Sequence, residues 1–159
     1  MKKILLLDID YTLIKPIDNH DDFGQGAIPR PHLKEFLEKM SAKYDLVLYT
    51  AGDSMNIANF LRVLHHQLNM GDNKQLIRDL QLTAIHQGNC PMEEYPKPGG
   101  SSIEIKSLTK AAEELDVPIE NLIILDDNPS YDHPHKDQII QAEGFYENED
   151  DNYLLRVKL

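Results

Sequence analysis

Three short apolar runs, each closing on carboxylates or a hydroxyl, narrow the folds open to this chain more than any other feature. They occupy residues 4–10, 45–50 and 121–127. Near-continuous hydrophobicity over so few residues marks strands covered on both faces, as in a parallel sheet. Helical spacing fills the gaps. Leu33, Phe36, Leu37 and Met40 recur at i, i+3, i+4 and i+7 after Pro31, and Leu108, Ala111, Ala112 and Leu115 repeat the spacing. A less regular helix is expected over 55–68, and two further short strands around 82–85 and 138–140. The alternation predicts an α/β protein with a Rossmann-like parallel sheet of about five strands flanked by helices.

Two stretches interrupt that alternation. Residues 15–29 carry Pro16, Gly24 and Gly26 without useful periodicity and read as a loop or small flap. Residues 69–102, rich in Gly and Pro, read as an irregular insertion with a small strand pair. Neither is long enough for a large helical cap, so an open site is expected. With 159 residues, one domain over 1–159 is the expectation.

Charge and cysteine content exclude some classes of partner. The net charge of -11 argues against a broad cationic surface for nucleic acid or anionic lipid, and favours substrates with basic flanks. Met1-Lys2-Lys3 ahead of an apolar run resembles a secretion signal, but the run stops at Asp8, short of a signal core or a membrane span. The lone Cys90 allows no internal disulfide and fits a reducing, cytoplasmic setting.

In an open parallel sheet, ligands bind beyond the carboxyl ends of the strands. The run ends bring Asp8 and Asp10, then Thr50, then Asp126 and Asp127 to that edge, and Lys106 opens the helix before the third run. Carboxylates this dense need a positive neighbour, for which a hard divalent cation with oxygen ligands is best suited. A hydroxyl and an ammonium beside them suit a phosphoryl group.

Asp8-Ile9-Asp10-Tyr11-Thr12-Leu13, Arg30-Pro31-His32, Tyr49-Thr50-Ala51-Gly52, Ile105-Lys106-Ser107-Leu108 and Leu125-Asp126-Asp127-Asn128-Pro129 follow one another in an order that resembles the haloacid dehalogenase superfamily. Within it, the chain is most similar to the phosphatases of RNA polymerase carboxy-terminal repeats, the NLI-interacting factor-like branch. Tyr11 stands where that branch usually has an acidic residue. The resemblance implies a Mg2+-dependent phosphomonoester hydrolase with Asp8 as nucleophile and Asp10 as general acid and base. It further implies Thr50 and Lys106 as phosphate ligands, and Asp8, Asp127, Asp126 and the Asp10 carbonyl as metal ligands. Thr12 braces the loop. Lys110, one helical turn beyond Lys106, is the alternative phosphate lysine.

A phosphoprotein is the expected substrate, with no choice made between phosphotyrosine and phosphoserine or phosphothreonine. The alternative is a capless phosphatase of sugar or aryl phosphates. A signalling receiver domain has its acidic pair on the first strand and its acceptor on a middle one, the reverse of the order here. A dead phosphopeptide scaffold is disfavoured because Asp8 and Asp10 are both present. His133-Pro134-His135 reads as a surface loop rather than a zinc site, and His65-His66 as partly packed or solvated on a helix. Cys90 lacks a following Cys-x5-Arg phosphate loop and reads as inert.

Overall fold

A computed structural model describes residues 2–17, 26–90, 93–96, 99–100, 102–127 and 135–159. Among these residues the core is a four-stranded sheet with every pairing parallel. In chain order its strands are β1 (Ile4–Leu7), β4 (Asp45–Leu48), β7 (Leu122–Asp126) and β8 (Ile139–Gln141), arranged in space as β4-β1-β7-β8. Ile4 lies beside both Asp45 and Leu122, and Leu7 beside both Leu48 and Leu125. The expected strand at 82–85 contracts to one parallel bridge between Ile85 and Tyr49, because Leu82 ends a helix and Thr83 caps it. Among the described residues the sheet is therefore four strands plus that bridge.

Strand periodicity divides the core in two. Leu5, Leu7, Leu46, Leu48 and Leu125 face one side, where they meet α1 (Leu33–Ser41), α2 (Ser54–His66), α3 (Lys74–Leu82) and α5 (Tyr153–Arg156). Leu6, Val47, Leu122 and Ile124 face the other and meet Leu108, Ala111 and Ala112 of α4 (Leu108–Leu115). Leu5, Leu6 and Leu7 are fully buried, each contributing about 1.5–3 kcal/mol of transfer free energy. The stripe Leu33, Phe36, Leu37 and Met40 is buried as its spacing predicts, and no helix among the described residues is long and apolar enough to cross a membrane.

Both irregular stretches contain antiparallel hairpins. β2 (Ile14–Ile17) pairs with β3 (Gly26–Pro29), and β5 (Glu93–Pro96) with β6 (Ser102–Ile105). The second stretch also holds α3, which composition alone does not suggest; of its residues only Leu80 is buried. No large cap is present among the described residues, and β6 hands the chain to Lys106 at the sheet edge.

Candidate active site

The first strand ends in a tight turn that folds Thr12 back over Asp8. Leu13 and Ile14 both donate backbone hydrogen bonds to the Ile9 carbonyl, and Tyr11 donates to Ile14 at 2.7 Å. This bend requires φ +60° at Tyr11, a left-handed conformation that costs a residue with Cβ about 1–2 kcal/mol. The carbonyl of Tyr11 accepts from Phe145 N at 2.6 Å, and its ring stacks on Tyr146 with centroids 5.3 Å apart. Thr12 is fully buried as a result.

The Thr12 hydroxyl ties two acidic strand ends together. Its Oγ1 lies 2.7 Å from Asp8 Oδ2 and 3.2 Å from Asp127 Oδ1, and it accepts from Asp127 N at 3.0 Å. One hydroxyl has one proton, so the shorter contact to Asp8 is the preferred donation, while the backbone amide fixes Asp127. Lys106 joins the other side. Its Nζ donates to Asp8 Oδ1 and, at 2.7 Å, to Asp126 Oδ2, and all three side chains are buried. Lys110 instead lines a separate depression with Asn89, Cys90, Glu113 and Glu114, so Lys106 is the lysine at the strand ends.

Asp8, Asp126 and Asp127 each offer an oxygen, and these oxygens lie within 4.8 Å of one another. Three carboxylates thus gather beside the Lys106 ammonium, crowding negative charge in a largely buried place. Burial raises the Asp8 pKa, with the Asp127 charge adding to it and Lys106 and Thr12 opposing. Burial and the Asp126 charge likewise raise that of Asp127. Burial disfavours the Lys106 ammonium, but the charges of Asp8 and Asp126 outweigh it and hold the lysine protonated. An all-oxygen, anionic donor set of this size fits a hard divalent cation such as Mg2+.

Asp10 occupies different surroundings from the other acids. Its Oδ2 accepts from Asn56 Nδ2 at 3.2 Å, and burial raises its pKa against the pull of Lys106 and Asn56. Its side chain does not belong to the three-carboxylate group. Thr50 is buried at the end of β4, where its Oγ1 accepts from Gly52 N at 3.0 Å and keeps its own proton for donation. Asn128, Pro129, His133 and Pro134 lie outside the described residues. His65 and His66 are exposed at the end of α2, and burial pushes up the Cys90 thiol pKa, consistent with an inert cysteine.

Sequence reading singles out Arg30 only as part of a motif and misses its partners. The guanidinium is fully buried: Nε and Nη2 donate to Asp151 at 3.0 and 2.8 Å, while Nη1 donates to the carbonyls of Thr12 and Glu143 at 3.0 and 2.8 Å. Tyr153 lies beneath it, 4.5 Å from ring centroid to Cζ. One arginine thus ties the Asp8–Thr12 turn to residues 143–153. Burial opposes ionisation of Asp151, but Arg30, the Tyr153 amide and Arg156 outweigh it and hold the carboxyl below its ordinary range. A depressed folded pKa stabilises the fold above the unfolded value of about 3.9 and ceases to do so as pH falls through the folded value. The stability gap between wild type and Asp151→Asn is therefore expected to be full at pH 6–7 and to close below about pH 4. Urea midpoints across that range measure it; a constant gap would disprove the linkage.

A parallel sheet with acidic residues at its carboxyl edge, a strand-end threonine and a lysine reaching between two aspartates defines an α/β protein of the haloacid dehalogenase-like class. The family model for NLI interacting factor-like phosphatases matches residues 3–159, and the chain belongs to that family. Among curated relatives it is 35% identical over 91 residues to the ubiquitin-like domain-containing CTD phosphatase 1 of Drosophila melanogaster, covering 57% of this chain and 27% of that protein. It is 24% identical over 168 residues to the CTD small phosphatase-like protein of Homo sapiens, covering 97% of this chain and 53% of the relative. The chain thus spans about a quarter of the first relative and about half of the second. The fold is also similar to the solved structure of Fcp1, an essential RNA polymerase II CTD phosphatase, at a TM-score of 0.63 and 15% identity, over 91% of this chain and 42% of that one.

Proposed function

We propose that residues 1–159 form a single Mg2+-dependent phosphomonoesterase domain that works through an aspartyl-phosphate and acts on phosphorylated side chains of proteins. The observation that carries this reading is the Asp8 carboxylate, held between Lys106 and Thr12 and flanked by Asp126 and Asp127. Hydrogen bonds to both Asp8 oxygens fix the carboxylate plane, so an incoming phosphorus meets an aligned nucleophile. Attack by Asp8 forms a new P–O bond, the ester P–O bond breaks, and the departing oxygen takes a proton from Asp10. In the second half, water attacks phosphorus, Asp10 takes its proton, and the bond to Asp8 breaks.

Thr50 and Lys106 donate to the phosphoryl oxygens, where charge is greatest in the transition state. Asp8, Asp127 and the Asp10 carbonyl would hold Mg2+, with Asp126 completing or orienting the set. Bound there, the ion would neutralise phosphoryl charge. The lack of a large cap among the described residues supports a side chain on a peptide as substrate, as do relatives named as CTD phosphatases.

Phosphate release from a phosphotyrosine and a phosphoserine peptide tests the reading. Turnover is expected with Mg2+, abolished by EDTA and restored by added Mg2+. Release indifferent to EDTA would exclude the metal assignment, and hydrolysis confined to sugar or aryl phosphates would exclude the protein substrate.

A further inference from the structure

We infer that Asn56 is a positioning residue that holds the Asp10 carboxyl in its proton-transferring orientation; this rests on the phosphatase reading above. Asp10 must deliver a proton to one oxygen and later take one from water, so its carboxyl plane matters as much as its acidity. Asn56 Nδ2 donates to Asp10 Oδ2 at 3.2 Å. That bond engages Oδ2 and fixes the rotation of the carboxyl, leaving Oδ1 to carry the proton.

Asn56 can hold another side chain because it is itself held. It occupies the third position of α2, within a reciprocal cap: Asp53 Oδ1 accepts from Met55 N at 2.9 Å and Asn56 N at 3.3 Å, and Asn56 Oδ1 accepts from Asp53 N at 3.2 Å. The Asp53 amide fixes which end of the Asn56 side chain is oxygen, since a flipped amide would set N–H against N–H. The nitrogen must then face Asp10. Gly52 makes room for this arrangement. A Cβ at Gly52 would lie 2.3 Å from Asn56 Oδ1, a distance that would force the amide to move. Helix α2 thus begins with a cap whose second half points into the active site.

The consequence is selective. A proton from Asp10 matters greatly when the leaving oxygen is basic and little when it departs readily as an anion. Loss of a merely structural side chain would slow both kinds of ester alike. The parameter to compare is kcat/KM, which covers formation of the aspartyl-phosphate and so includes departure of the first group.

The experiment measures kcat/KM for 4-nitrophenyl phosphate, phenyl phosphate and a phosphoserine peptide in wild type, Asn56→Leu, Gly52→Ala and Asp53→Ala. Asn56→Leu is expected to lose about tenfold or more on phenyl phosphate and the peptide but less than about threefold on 4-nitrophenyl phosphate. Gly52→Ala is expected to share that pattern, because it displaces the same amide. Asp53→Ala removes the side-chain half of the cap but keeps the Asp53 N–H that holds Asn56. Its thermal midpoint is expected to fall while its leaving-group dependence stays that of wild type. A wild type inert toward every ester overturns the phosphatase reading and this assignment together. A wild type that turns over while Asn56→Leu slows all esters by a common factor, or none, overturns the assignment alone.

Discussion

Asp8→Asn is expected to lower kcat/KM on any phosphomonoester by at least about a thousandfold, since on the proposed mechanism it removes the covalent nucleophile and leaves only binding and electrostatic contributions. An amide oxygen is a poor nucleophile toward phosphorus, and the two nearby carboxylates are held differently from Asp8. Asp126 Oδ2 accepts from Lys106, and the Asp127 amide donates to Thr12. The fold should survive, because burial disfavours the Asp8 charge and an amide of the same shape can still accept from Lys106. Initial rates with a phosphopeptide, together with urea unfolding, separate the two effects. A folded variant keeping more than about a tenth of wild-type turnover would remove Asp8 from the mechanism.

Arg30→Met is expected to destabilise the chain by about 3–5 kcal/mol, the cost of breaking a buried ion pair by removing one partner. Total stability for a chain of this size is about 5–15 kcal/mol, so much of the margin would go. The loss combines several contributions. Asp151 loses its cation, the carbonyls of Thr12 and Glu143 lose a charged donor, and Tyr153 loses the guanidinium above its ring. Asp151→Asn should cost less, because an amide oxygen still accepts from Arg30. Urea unfolding with a common slope measures both; a loss below about 1 kcal/mol in Arg30→Met would show that the contacts formed by Arg30 are matched by water in its absence.

The central sheet and the main site were legible because each signal was local. Leu5, Leu6 and Leu7 form a run that is apolar on both faces, and Leu33, Phe36, Leu37 and Met40 mark one helical stripe; both patterns survive tertiary packing. Lys74–Leu82 was not legible as a helix, because its buried face amounts to Leu80 and its neighbourhood is full of turn-forming residues. The Ile14–Ile17 and Gly26–Pro29 hairpin was obscured by Pro16 and Pro29, residues that ordinarily argue against a strand. At the site, run endings pointed to Asp8, Thr50, Asp126 and Asp127, but which lysine reached them depended on side-chain direction, and Lys106 is seen to reach Asp8 and Asp126. Asp53 and Asn56 had capping-box spacing, a signal present in the sequence that says nothing of Asp10 across the cleft. The bonds from Arg30 to Glu143 and Asp151 join distant segments and left no local trace.

The placement of β1 between β4 and β7 has a consequence for biosynthesis. Ile4 emerges from the ribosome well before Leu122, yet Leu122 is one of its two neighbours in the finished sheet. Until that later strand is translated, one hydrogen-bonding edge of the older segment stays open, and Asp8 has neither Lys106 nor Asp126 beside it. Assembly of the Asp8, Lys106 and Asp126 cluster must therefore wait until the last of these strands is made, and a nascent chain stalled before Leu122 would expose an adhesive edge for chaperones to shield.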